Sequence, residues 1–139
     1  MKKIALVILL LFSLQITAQN KGDWFTDYEV ATAKATSQNQ NMLVFATGDM
    51  SSETEALLNE ELFNSETFKR VALKVVLLQL SFNDTDAYTK RIATHYTGVK
   101  VAPAVSLVDA NGNRLGVSLT AITKEHIQTF LSQLEAKLQ

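Results

Sequence analysis

Past its first two dozen residues the chain switches repeatedly between helical-period and continuous apolar stretches. In residues 24–38, Trp24, Tyr28 and Ala31 fall at i, i+4 and i+7, and Ala35 continues the face. That spacing predicts an amphipathic helix, capped by Asp23 and ended by Asn39-Gln40-Asn41. Residues 42–46 form a short apolar run of strand length and composition, which predicts a strand buried on both faces. A turn follows, Thr47 through Ser51. A helix then runs from Ser52 to Leu62, with a kink or restart at Asn64-Ser65 and helix again over 66–72. Residues 75–80 repeat the buried-strand pattern. Asn83-Asp84-Thr85-Asp86 reads as a loop and cap, and residues 87–96 as a helix closed by Gly98. Ala104–Val108 is a third strand, Asp109 to Asn113 a hairpin turn around Asn111-Gly112, and 114–119 the returning strand. The final helix spans 123–138. Thr123 caps it, Ile122 staples against Ile127, and Ile127, Phe130, Leu131, Leu134 and Leu138 form its stripe.

Helices that alternate with buried strands imply a mixed sheet covered on both faces, with an antiparallel edge supplied by the hairpin. The length of 139 residues suits one such domain and not two. The opening residues follow a different logic. Lys2 and Lys3 precede an apolar run over 4–14 broken only by Ser13, and Ile16-Thr17-Ala18 offers a small residue for cleavage. Residues 1–18 are therefore expected to be a signal peptide, and 19–139 the exported, periplasmic or secreted domain. The run is short for a membrane span, and no later segment is apolar enough for one.

Charge narrows the partners. The formal net charge is −1, and loss of Lys2 and Lys3 leaves eleven basic against fourteen acidic residues, or −3. No basic cluster stands out, so a nucleic-acid partner is not expected. Pairs such as Lys69-Arg70 and Lys90-Arg91 read as solvated helix faces. An exported chain is free to use disulfides, yet this one contains no cysteine.

The remaining candidate chemistry is sparse. Ser52-Glu53-Thr54-Glu55 has the form of a capping box: Ser52 Oγ accepts from the Glu55 N–H, and the Glu55 carboxylate reaches back to the Ser52 N–H. Its acidic residues suit the helix dipole and oppose an anion or thiolate there. His95 falls in the last turn of its helix and His126 in the first turn of another. A Ser52–His95–Asp49 triad can be drawn, but no spacing specifies its geometry. Two separated histidines without cysteines make a weak metal site. Asn83, Asp84 and Asp86 resemble only the start of a calcium loop, and capping accounts for them. Gly48 stands alone, without a phosphate-loop pattern. Trp24 reads as packing. No catalytic residue, metal or cofactor is assigned.

The order of elements resembles that of the thioredoxin-like superfamily, and local motifs sharpen the likeness over about residues 23–138. An apolar strand (42–46) runs into a turn and a helix, where such proteins carry Cys-x-x-Cys. Val99-Lys100-Val101-Ala102-Pro103-Ala104-Val105 resembles the family segment that ends in a cis-proline before a strand. Leu107-Val108-Asp109-Ala110-Asn111-Gly112 resembles its strand-Asp-x-x-Gly hairpin, and Trp24, Asp27 and Ala31 match an opening helix pattern of exported members. The resemblance implies a thioredoxin fold, α/β, with a central mixed sheet flanked by helices and a cis bond at Pro103. Aligned on Phe63, the Cys-x-x-Cys positions become Ser52-Glu53-Thr54-Glu55, or in the neighbouring register include Ser51. A serine hydroxyl does not replace a thiolate in disulfide exchange.

The expected function is a redox-inactive binding or chaperone-like module. Its partner is an extended peptide or envelope protein, held by the backbone at Ala102 beside Pro103 and the degenerate positions Ser51 to Glu55. The alternatives are a structural or subunit-like role, or a serine-based thiol-binding enzyme of the glutathione-transferase kind. The chain lacks the helical domain those enzymes add.

Overall fold

The computed structural model describes residues 24–48 and 52–138. The leader reading for 1–18, the Asp23 cap, Asp49 and Ser51 all lie outside them. Strand β1 (Met42–Thr47) is buried at every position and sits at the centre of a three-stranded sheet. It pairs in parallel with β2 (Val76–Ser81), Met42 opposite Val76, and antiparallel with β3 (Ala104–Val108), Met42 opposite Val108. Alternate side chains of these strands feed two cores. Leu43, Phe45, Leu77, Val105 and Leu107 face one side, and Met42, Val44, Ala46, Leu78 and Val108 the other. Both faces are covered by helices, which is why the strands read as unbroken apolar runs.

Helix α1 (Tyr28–Gln38) and α4 (Ala87–Thr97) cover one face through Ala31, Ala35, Ala93 and Tyr96. The other face is covered by α2 (Glu53–Leu58), its π-helical continuation Asn59–Phe63, α3 (Glu66–Ala72) and α5 (Lys124–Lys137). The expected restart at Asn64-Ser65 is a wider turn, with Asn64 N–H bonding to Asn59 C=O, after which Ser65 caps α3 by accepting from Phe68 N–H at 3.1 Å.

Two expectations are corrected. The first helix begins at Tyr28 rather than Trp24, and its cap is Asp27, whose Oδ1 accepts from Glu29 N–H at 2.9 Å. Trp24 and Phe25 are extended instead. Phe25 exchanges two 2.8 Å backbone bonds with Leu77 and Gln79, covering the outer edge of β2. Trp24 and Tyr28 therefore go to opposite faces of the sheet. Trp24 packs with Phe45, Phe63 and Phe68, while Tyr28 packs with Tyr96. The second correction concerns residues 114–119, which make only isolated bridges, Val108 with Arg114 and Val105 with Leu119. Gly116 takes the left-handed conformation (φ +78°) between them and breaks the ladder. The hairpin turn before it is tight: Asp109 N–H bonds to Asn113 C=O at 2.8 Å, with Gly112 at φ +86°.

Candidate functional site

The β1–α2 corner and the loop before β3 meet at one end of the sheet. Antiparallel pairing sets Ala46, near the end of β1, opposite Ala104, the first residue of β3. Gly48 then passes directly against Ala102: a Cβ on Gly48 would lie 2.9 Å from the Ala102 Cβ, so only glycine permits this approach. The Ala102–Pro103 peptide bond is cis. Ala102 and Pro103 are half-buried, whereas Val101 beside them is 70% exposed.

Ser52 caps α2, its Oγ accepting from Glu55 N–H at 3.2 Å. Glu53 and Thr54 are exposed. Glu55 corrects the expectation of a reciprocal capping box. Its carboxylate does not return to the Ser52 backbone. It is buried (1% exposed), with Oε1 accepting from the Thr47 hydroxyl at the end of β1 and Oε2 lacking a hydrogen-bond partner among the described residues. The reason is helical phase. Glu55 stands three residues before Leu58 and seven before Leu62, both fully buried, so it lies on the inward stripe of its helix. That spacing was available in the sequence, but acidic composition concealed it.

The other singled-out residues do not converge. Ser52 and His95 share no hydrogen bond among the described residues; His95 is exposed, its ring beside Tyr96. His126 pairs through Nδ1 with the Thr123 hydroxyl at 2.7 Å. Asp84 accepts from Asp86 N–H, and Asp86 caps α4 by accepting from Tyr88 N–H at 3.0 Å. No group of three or more metal-ligating side chains clusters among the described residues. Nor is any described helix long and apolar enough to cross a membrane.

Two titratable groups stand apart. Burial, reinforced by the hydrogen bond to Tyr28, pushes the Tyr96 phenol well above its ordinary range. The hairpin holds the Asp109 carboxylate below the usual range, chiefly through the Asn113 backbone N–H, with Asn113's side chain and Asn111's N–H adding to it. Both are structural, one between helices and one in a turn.

A central mixed sheet with helices on both faces, a strand-to-helix corner and a cis-proline loop against it define the thioredoxin fold. Solved structures share it. DsbH oxidoreductase matches with a TM-score of 0.60 at 16% identity, over 81% of this chain and 84% of that one. A thioredoxin from Thermus thermophilus matches with a TM-score of 0.62 at 16% identity, over 82% and 87%. A disulphide isomerase from Xylella fastidiosa Temecula1 gives 0.55 at 13%, over 81% and 98%. No curated protein matches the sequence. A thioredoxin-like family model matches residues 23–110, more than half of the chain, and the chain belongs to that thioredoxin-like family.

Proposed function

We propose that this is an exported thioredoxin-like domain which binds an extended segment of a partner protein through the backbone at Ala102, and which performs no redox chemistry. The observation that carries the reading is the corner itself. Gly48 and Ala102 are kept in close approach beside cis-Pro103, and the resemblance would put the family's thiols at Ser52 and Glu55. Main-chain pairing with an extended peptide needs no reactive side chain, so it survives loss of the cysteines. The reading of export is supported by the charged, apolar and small-residue order of residues 1–18, which has the layout of a leader with a cut near Ala18. The half-buried Ala102 and exposed Val101 give such a segment a place to lie.

Site-specific photocrosslinking tests this. A benzophenone side chain replaces Val101, with a control at Val30, which is 50% exposed on α1. The expected result is a discrete partner adduct from Val101 alone, lost in Ala102→Pro, which removes the backbone N–H at the proposed contact. Equal labelling from both positions, or labelling indifferent to Ala102→Pro, overturns the reading. N-terminal sequencing of protein recovered from the envelope or medium tests export separately, and a chain starting at Met1 refutes cleavage.

A further inference from the structure

We infer that the segment received at Ala102 is acidic, and that it runs along a cationic trough between α4 and the residues 99–102 that lead to Pro103. This rests on the peptide-binding reading above and adds the chemistry of the partner. The path of the chain sets the trough. α4 ends at Gly98, over which the Arg114 guanidinium packs; Arg114 bridges Val108, and Val108 pairs with Met42, the first residue of β1. The next strand begins at Ala104, opposite Ala46 near the other end of β1. Residues 99–103 must therefore travel most of the length of the sheet to reach the Ala102 corner. An open cavity of about 350 Å³ beside this segment is lined by Lys90, Arg91, Thr94 and His95 of α4 and by Lys100.

Among the described residues no carboxylate lines that cavity. Lys90 and Arg91 make no ion pair with a described residue, and neither does Lys100. Arg91 instead lies over the Tyr88 ring, 5.9 Å from its centroid, which leaves its charge uncompensated. These cations gather on a chain whose exported portion carries a formal −3, so the trough is a local reversal of the molecule's sign. They also come from two segments, and Lys100 joins the trough directly to Val101 and Ala102. An anionic partner gains there from steering and complementarity, and an extended chain with spaced carboxylates meets both the cations and the backbone groups of Ala102. A phosphate-bearing surface meets only the cations.

The test uses two fluorescein-labelled peptides of equal length, one alternating Glu with Val and Thr, the other Lys with Val and Thr. Anisotropy titrations compare the mature parent chain, the exposed-face variant K90E/R91E/K100E and Ala102→Pro. The parent is expected to favour the acidic peptide, with affinity falling as salt rises. The triple variant should weaken that binding roughly tenfold, the scale of a few exposed charge pairs. Ala102→Pro should weaken both peptides. Equal binding of the two peptides, unchanged in the triple variant, overturns the acidic assignment and leaves the groove standing. Affinity for the acidic peptide that is unchanged in Ala102→Pro breaks the groove reading instead. Binding of neither peptide to the parent defeats both. Phosphatidylglycerol vesicles that displace the acidic peptide from the parent and from Ala102→Pro alike would identify an unspecific anion surface.

Discussion

Glu55 is the side chain at which composition and geometry disagree most. A carboxylate at 1% exposure, with one oxygen held by Thr47 and the other without a partner among the described residues, is a costly group to bury. Replacing it with an apolar side chain of similar length removes the penalty, whereas removing its donor increases it. Glu55→Met should thus leave stability equal or raise it, and Thr47→Val should lower it by about 1–3 kcal/mol, the cost of an unsatisfied buried polar group. Urea denaturation of the two variants decides the matter; loss of stability in Glu55→Met comparable to that in Thr47→Val means the carboxylate is a net support. Ser52 has the simpler role. Its Oγ satisfies the Glu55 N–H at the start of α2, so Ser52→Ala should cost about 1 kcal/mol of unfolding free energy. An unchanged denaturation midpoint in Ser52→Ala rules out the cap as a contributor.

At the scale of elements, the periodic helices were legible and the ambiguous edges were not. The last helix shows its buried stripe, Ile127, Phe130, Leu131 and Leu134, in the sequence, because an amphipathic face needs only spacing to declare itself. Trp24 has the same spacing to Tyr28, but it is the end of a short edge segment; its ring fills the Phe45–Phe63–Phe68 cluster on the far side of the sheet. Periodicity cannot separate those cases, since both place an aromatic four residues from another. The returning strand failed for a backbone reason, the left-handed Gly116, and Glu55 because a buried acid violates the usual pattern. Between α1 and α4 the sequence gives no hint of the Tyr28–Tyr96 hydroxyl pair at 3.3 Å. Burial raises the Tyr96 pKa, so the folded state holds the phenol proton more tightly than the unfolded chain. Its contribution is intact below about pH 10, the ordinary tyrosine value, and is lost as pH rises toward the higher folded value. Phenolate absorbance should show a step well above the ordinary tyrosine range that is missing in Tyr96→Phe. An absorbance change lost in Tyr96→Phe that falls near pH 10 in folded protein contradicts the packing between these helices.

For the molecule as a whole, the family's architecture persists while its reagent is gone, and the two separate cleanly in experiment. Disulfide exchange needs a thiolate that attacks a disulfide sulfur, and the chain holds no cysteine to supply one. The protein should therefore leave insulin reduction by limiting dithiothreitol at the rate of the buffer control, and turnover above that control would sink the claim. The stronger form of the prediction restores the chemistry. Ser52, half-buried, is the N-cap of α2, and Glu55 lies three residues on and buried at the head of the same helix. A thiol at the first is favoured as thiolate by the helix N-terminus, though exposed Glu53 opposes that effect. S52C/E55C should form an intramolecular disulfide, seen as full protection from alkylation until reduced, and should gain insulin-reducing turnover that the parent lacks. S52C/T54C serves as the control, since Thr54 is exposed and off the inward stripe. Turnover in the control equal to that in S52C/E55C would show that any pair of added thiols suffices, and would remove the assignment of Ser52 and Glu55 to the lost redox positions.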